Sequence, residues 1–215
     1  MLKLHTYFRS SCSYRVRIAL NLKGLTYESL PINLLKSEQL SEDYMRKNPS
    51  GLLPTFRDEK TQISLTQSLA IIEYIDENYG EKNLFLPADS YEKALVRSMA
   101  YIIACDIQPI QNLKVLKHLM REIHIEEDQK IAWIQHFITE GFFGLEAMLK
   151  KHSGEYCYKN KVSLVDICLI PQLYNARRFK TDLSRFPNIT KVEENLLKLE
   201  SFEKAKPENQ IDCPF

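Results

Sequence analysis

The sequence lacks a net charge, a long apolar run and paired cysteines, and each absence excludes a class of protein. The chain has 29 Lys and Arg against 28 Asp and Glu. It therefore has no overall positive electrostatic field that would attract nucleic acid or an anionic membrane. No apolar stretch approaches the roughly 20 residues of a membrane span. The first residues also lack the uninterrupted apolar segment of a secretory signal. We therefore expect a cytoplasmic protein with a small-molecule partner, no nucleic acid and no membrane.

The cysteines and histidines argue against disulfides and against a metal site. The five cysteines are odd in number and contain no Cys-x-x-Cys pair, and the five histidines show no ligand spacing. We expect a reducing compartment, no metal, and burial for the four cysteines that follow Cys12 at helical positions. Those four are Cys105, Cys157, Cys168 and Cys213.

Length and periodicity predict two domains. The chain has 215 residues, of which 44% are hydrophobic and 27% charged, as in ordinary globular proteins. Residues 1–81 show the order β-α-β-α-β-β-α, which fits a small α/β sheet of the thioredoxin-like type. Residues 88–215 show only helical periodicity and predict an all-α domain. Its expected helices cover roughly 90–118, 126–150, 163–179 and 189–200.

Three short segments of the first domain could bind an anionic peptide. Ser10, Ser11 and Cys12 stand where the first helix begins, and the positive end of a helix favours a thiolate. Leu53-Pro54 precedes a hairpin, where a proline can hold a cis bond that turns the Leu53 backbone outward, although most X-Pro bonds are trans. Gln67-Ser68 opens the next helix, where N–H groups suit a carboxylate. Simple helix capping is the more frequent explanation both for Ser10 and Ser11 and for Gln67-Ser68.

Several motifs closely resemble those of the zeta class of the cytosolic glutathione transferases. The segment from Ser10 to Leu20 reads SSCSYRVRIAL, with Tyr14 where that class usually has Trp. Leu53-Pro54-Thr55 followed by Gln67-Ser68 resembles the glutathione-binding motifs of the superfamily, with Leu53 in place of the more familiar Val. Further likenesses are Ile107 to Leu113 (IQPIQNL) and Asn175 to Lys180 (NARRFK).

The resemblance implies a fold, a cofactor and an activity. It implies a thioredoxin-like domain joined to a helical domain, in a homodimer that uses glutathione. The implied reaction is isomerisation of maleylacetoacetate to fumarylacetoacetate in tyrosine and phenylalanine breakdown. The glutathione thiolate would add to the cis double bond, the bond would rotate, and elimination would regenerate glutathione.

The resemblance also assigns candidate site residues. Ser10, Ser11 and Cys12 would be catalytic, with Ser10 as the main thiolate partner. Arg178, and more weakly Arg9, would hold a substrate carboxylate, whereas Arg177 is expected to be a solvated surface charge. The residues expected to contact glutathione are Ser10, Ser11, Gln39, Leu53, Pro54, Gln67, Ser68, Gln108 and Asn112.

Two alternatives remain open from the sequence. The same class of site could serve a transferase or dehalogenase acting on small α-halo acids, or a maleylpyruvate isomerase. A non-catalytic binding protein with this architecture would not need Ser10, Ser11, Gln67 and Ser68 together. Ser163-x-x-Asp166 is interpreted as a structural capping box, without a catalytic role.

Overall fold

The computed structural model describes residues 1–80 and 84–214, which separate into two compact units. One unit contains the residues up to Leu84 and those from Leu197 onward, and the other runs from Phe85 to Leu196. The predicted domain end at residue 81 lies outside the described residues. The predicted helical domain 88–215 differs from the structure at its end, because the last residues pack against the first helix. Asn21 Nδ2 donates to the Ser201 carbonyl at 3.0 Å there.

The first unit is built on a four-stranded mixed sheet in the order β2-β1-β3-β4. Strand β1 pairs parallel with β2 and antiparallel with β3, and β3 pairs antiparallel with β4. This is the predicted thioredoxin-like arrangement. The strands are β1 (Leu2–Thr6), β2 (Tyr27–Pro31), β3 (Thr55–Asp58) and β4 (Ile63–Thr66), and the helices among them are α1 (Ser11–Leu22), α2 (Glu42–Met45) and α3 (Ser68–Asn78).

A buried carboxylate fixes the β3–β4 hairpin to the end of α3. Asp58 is 1% exposed, and it accepts hydrogen bonds from Thr61 Oγ1, from the Lys60 N–H and from the hydroxyls of Tyr74 and Tyr79. Burial alone would raise the pKa of Asp58, but these donors outweigh it and lower the pKa to about 2. The carboxylate is therefore held ionised in the folded protein.

The second unit is helical, as predicted, but its first helix is interrupted. A π-helical turn covers Ile102–Ile107, where Gln108 N–H donates to the Ile103 carbonyl at 3.0 Å, and a 3-10 turn covers Pro109–Gln111. Proline has no N–H to continue the helical ladder, which explains the break in the predicted helix 90–118. The helices of this unit are α4 (Ser90–Tyr101), α5 (Leu113–Arg121), α6 (Glu127–His152), α7 (Leu164–Arg178) and α8 (Pro187–Leu196).

The start of α7 follows the predicted capping chemistry. Asp166 Oδ2 accepts from the N–H and the hydroxyl of Ser163, which forms the predicted capping box of α7. The predicted helix 189–200 instead divides into α8 and a short α9 (Glu200–Ala205), which belongs to the first unit.

Among the described residues, none of the helices combines the length and the apolarity that a bilayer span requires.

Candidate functional site

The start of α1 places three of the predicted site residues in one helical turn. Ser10 is the N-cap residue, and its Oγ accepts from Ser13 N–H at 3.2 Å. Ser11 and Cys12 follow as the first residues of the helix, and all three predicted residues are half-buried. The hydroxyl proton of Ser10 takes no part in that cap and can still donate to an anion. Capping and anion binding are therefore compatible roles for Ser10.

A buried arginine connects the starts of α1 and α3. Arg15 Nη1 donates to Cys12 Sγ at 3.9 Å and to Ser68 Oγ at 3.4 Å. Arg15 is 2% exposed, and its Nε and Nη2 have no hydrogen-bond partner among the described residues. The predicted sites at Cys12 and Ser68 therefore lie on either side of one guanidinium.

The Leu53-Pro54 bond is cis, and the chain before it is held by side chains of α2 and the following turn. The Leu52 carbonyl accepts from Tyr44 Oη and from Asn48 Nδ2, both at 2.7 Å. Within the described ranges, the N–H and C=O of Leu53 make no hydrogen bond. Both groups are thus available to pair with an added peptide strand.

An apolar cluster ties this turn to the loop that precedes α1. Leu53 packs in one buried cluster with Tyr7, Phe8 and Tyr44. Tyr7 and Phe8 directly precede Arg9 and Ser10 in the chain. The guanidinium of Arg9 lies over the Phe8 ring, 5.1 Å from its centroid.

The start of α3 carries an unusual backbone conformation. Gln67 precedes the helix with φ 68° and ψ 113°, and its side chain makes no capping bond. A non-glycine residue in this region is strained by about 1 to 3 kcal/mol, and such residues cluster at ligand sites. Gln67 is exposed, whereas Ser68 at the first helical position is buried. The side-chain cap weighed in the sequence for Gln67 is therefore absent in this described segment.

Gln39 lies in a 3-10 turn, Glu38–Leu40, that packs against the loop before Leu53. Its side chain is 8% exposed, and Oε1 has no hydrogen-bond partner in the described parts of the chain. Gly51 faces this turn at φ +61°, and a Cβ there would lie 2.9 Å from Leu40 Cδ2. A side chain at this position would be strained and would displace Leu40, so glycine favours the close packing of the turn.

The remaining candidates belong to the helical unit. Gln108 is half-buried between the π turn and the 3-10 turn, and Asn112 is the N-cap of α5, where its Oδ1 accepts from Lys114 N–H at 3.1 Å. Arg178 is the last residue of α7 and is exposed. Its guanidinium lies over the Phe179 ring, 4.7 Å from the centroid.

Arg177 is exposed at the surface, as expected, but it is also paired with a buried carboxylate. Its Nε donates to Glu193 Oε1 at 3.0 Å, and its Nη2 donates to Glu193 Oε2. Glu193 is 5% exposed, so Arg177 compensates a buried carboxylate and joins α7 to α8. The two neighbouring arginines are both exposed and differ in their contacts, since Arg177 pairs with Glu193 and Arg178 lies over the Phe179 ring.

Sequence reasoning missed Arg17 and Asp212, which shape the loop before Ser10. Arg17 is 0% exposed, and it donates to the carbonyls of Tyr7, Phe8 and Ala205 and to Thr6 Oγ1. Burial lowers the pKa of Arg17 to about 10. Asp212 Oδ2 accepts from Phe8 N–H at 2.9 Å. Two arginines within an apolar helix were the signal available in the sequence.

The cysteine predictions are partly corrected. All five cysteines are outside disulfides, and Cys157 and Cys168 are buried, but Cys105 is exposed and Cys213 is half-buried. Cys105 lies in the π turn, where the predicted helical register that would have buried it is lost. Across residues 1–80 and 84–214, no three His, Cys, Asp or Glu side chains are grouped as metal ligands.

Comparison with known proteins gives the same family for both units. Family models described as the N-terminal and C-terminal domains of glutathione S-transferase match residues 4–83 and 114–204. A probable maleylacetoacetate isomerase of Vibrio cholerae is 46% identical over 98% of this chain and 97% of its own length.

Solved structures agree in fold and in class. A structure described as holo maleyl pyruvate isomerase, a bacterial zeta-class glutathione transferase, is 39% identical with a TM-score of 0.94, and covers 98% of this chain and 99% of its own. A maleylacetoacetate isomerase from Anaeromyxobacter dehalogenans with bound GSH is 36% identical with a TM-score of 0.89, over 100% and 98% of the two chains. The chain therefore belongs to the glutathione S-transferase family and, within it, to the zeta class.

Proposed function

We propose that the protein is a glutathione-dependent isomerase that converts maleylacetoacetate to fumarylacetoacetate. The observation that carries the proposal is the position of Ser10, Ser11 and Cys12 at the N-terminus of α1. A relative that shares 46% identity over nearly the full length of both chains is named a probable maleylacetoacetate isomerase, which supports the choice of substrate.

The first unit has groups that suit each part of glutathione, a tripeptide with two carboxylates and a thiol. The start of α1 suits the sulfur, and the unpaired backbone of Leu53 suits the peptide. Gln67 and Ser68 at the start of α3 suit a carboxylate. The buried, unpartnered Nε and Nη2 of Arg15 favour an anionic group of the ligand, and the unpartnered Oε1 of Gln39 can accept from an N–H of it.

When bound, glutathione supplies a thiolate that adds reversibly to the cis double bond, so that rotation can precede its elimination. The Ser10 hydroxyl donates to the sulfur and stabilises its charge. Cys12 is an auxiliary group in the same turn. Ser11 lies in the first turn of the helix, where the helix dipole favours a negative charge.

We assign the helical unit to the acidic substrate. The exposed guanidinium of Arg178 is the main candidate for a carboxylate partner, with Arg9 as the weaker one. Gln108 and Asn112 are proposed to contact glutathione or substrate from this unit. The dehalogenation of small α-halo acids remains a further reaction that such a site could perform.

We also propose a cytoplasmic homodimer that works in tyrosine and phenylalanine breakdown. The family resemblance supports this, together with cysteines that form no disulfide. Sedimentation at micromolar concentration is expected to give twice the chain mass of 25.2 kDa. A species of single-chain mass would contradict the dimer.

Maleylpyruvate isomerisation is the second candidate, because a structure so described aligns at a TM-score of 0.94. Both substrates carry a cis double bond between acidic ends, so the same residues would serve either reaction.

Turnover of each substrate tests the proposal. We expect the purified protein to isomerise maleylacetoacetate, or its analogue maleylacetone, only when glutathione is present. S-methylglutathione, which has no thiol, is the matched control and is expected to support no turnover. A higher kcat/KM for maleylpyruvate would select the second candidate. Binding of glutathione without turnover of either substrate would favour a non-catalytic role.

A further inference from the structure

Arg15 is a buried cation without an anionic partner in the parts of the chain that the structure describes. Only Nη1 is engaged, at 3.4 Å from Ser68 Oγ and 3.9 Å from Cys12 Sγ. Nε and Nη2 make no hydrogen bond there, and Arg15 forms no ion pair with a carboxylate of the described residues. Burying a guanidinium in this way is unfavourable unless an anion or other acceptors compensate it.

Arg17, two residues further along α1, provides the contrast. All three of its guanidinium nitrogens donate to protein oxygens, with distances of 3.0 to 3.3 Å. Its hydrogen bonds are satisfied by the fold itself. Arg15 has the same side chain and a similar degree of burial, but its hydrogen-bonding capacity is left for something that the protein binds.

The geometry points to a specific role for Arg15. We propose that Arg15 is a positioning residue that keeps the thiol of bound glutathione ionised, acting through Cys12 at the N-terminus of α1. This rests on the proposed function, which places the glutathione sulfur in front of α1. The thiol proton passes to solvent, and no other bond changes.

Two physical effects combine at this position. The helix N-terminus contributes a partial positive charge, and Arg15 adds a full charge that is shielded from solvent. An opposite charge within about 4 to 6 Å lowers the pKa of an acid by about 1 to 3 units. The bond from Nη1 to Ser68 Oγ also keeps the charged group beside Cys12, which the same nitrogen contacts.

The test measures the pKa of the glutathione thiol in the binary complex, without substrate. Thiolate absorbance in the ultraviolet is followed against pH, and the spectrum of the protein alone is subtracted. Arg15→Met and Arg15→Gln remove the charge, and the Gln variant keeps a polar end in the buried position. We expect both to raise the pKa of the bound thiol by about one to two pH units.

Two further variants separate charge from structure. Arg15→Lys keeps the charge, so most of the lowered thiol pKa is expected to be restored. Arg57→Lys, a change at an exposed arginine that bonds to Gln62 Oε1, is expected to leave the thiol pKa unchanged. The affinity for S-methylglutathione, measured by calorimetry, is expected to change little in the Arg15 variants because this ligand has no thiol to ionise.

Three results would overturn the inference. If the wild-type protein binds no glutathione, or binds it with the thiol pKa of the free tripeptide, both the proposed function and the role of Arg15 fail. If the wild-type pKa is lowered and both neutral Arg15 variants keep it so, the role of Arg15 alone fails. An equal loss of affinity for glutathione and S-methylglutathione, with an unchanged thiol pKa, would show that Arg15 acts only on Ser68.

Discussion

Arg17→Lys should destabilise the first unit although it keeps the charge. The guanidinium of Arg17 joins three pieces of chain, since it donates to Thr6 at the end of β1, to the Tyr7 and Phe8 carbonyls in the loop before Ser10, and to Ala205 in α9. A lysine ammonium is a single point with three donors on a thinner stem. It cannot reach carbonyls that lie on opposite sides of a planar fork.

The size of the loss follows from the acceptors that remain buried. A hydrogen bond to a charged group contributes about 1.5 to 3 kcal/mol, and a buried acceptor left without a donor costs about 1 to 3 kcal/mol. Lysine can retain about half of the four bonds, and such losses do not add fully. We therefore expect the free energy of unfolding to fall by about 3 to 5 kcal/mol. For a chain of this length that lowers Tm by about 6 to 20 °C.

Thermal unfolding followed by circular dichroism measures this loss. Arg57→Lys is the matched control, because Arg57 is exposed and makes a single bond, from Nη2 to Gln62 Oε1 at 3.3 Å. We expect the control to change stability by less than about 0.5 kcal/mol. Equal Tm values for the two variants would refute the view that Arg17 holds the loop, strand and C-terminal segment together.

Three further predictions concern the site and its support. Arg178→Lys should raise KM for an acidic substrate by the equivalent of about 1.5 to 3 kcal/mol. Arg185 is also exposed and lies over an aromatic ring at 4.4 Å, so Arg185→Lys is the control and should leave the kinetics unchanged. Equal effects of the two changes would contradict the proposal that Arg178 binds a substrate carboxylate. Ser10→Ala should cut turnover at least about tenfold, whereas Ser41→Ala, which removes a similar serine cap from α2, should lose only about 1 kcal/mol of stability. Asp58→Asn should lower the free energy of unfolding at neutral pH. The difference from wild type should shrink as pH falls from 3.8 toward about 2, because the lowered pKa of Asp58 in the folded state contributes stability that is lost when the carboxylate is protonated. A difference that does not depend on pH would refute this.

The start of α1 could be predicted because its signals are local. A polar serine pair before a helical apolar pattern predicts an N-cap, and Ser10 Oγ makes that bond to Ser13 N–H. The capping box at Ser163 and Asp166 followed from the same kind of pattern. In both places the partners lie within a few residues of each other, so sequence spacing alone identifies them.

The interruption near Pro109 was not predicted because two signals compete there. Apolar residues continue at helical spacing through Ile107, which favours an uninterrupted helix. The structure instead inserts a π turn and a 3-10 turn before Asn112 caps α5. Proline explains why the ladder stops at Pro109. The π turn depends on packing within the helical unit, which periodicity does not report.

The C-terminal segment shows a different limit of sequence reasoning. Helical periodicity places α9 with the other helices, yet α9 belongs to the sheet-containing unit. Its attachment is made by long-range contacts, among them Arg17 to Ala205 and Phe8 N–H to Asp212. These partners are separated by about two hundred residues, so no local pattern could have paired them.

The two arginines of α1 show how tertiary partners decide what a buried polar residue does. Residues two apart on a helix point about 200° from each other, so Arg15 and Arg17 face opposite sides of α1. Arg15 faces the start of α3 and contacts Ser68, whereas Arg17 faces α9 and contacts Ala205. The segment Arg-Val-Arg looks uniform in the sequence. Arg17 donates to carbonyl oxygens and therefore stabilises the fold. Arg15 contacts only a hydroxyl and a sulfur, so its charge remains uncompensated beside the proposed glutathione site.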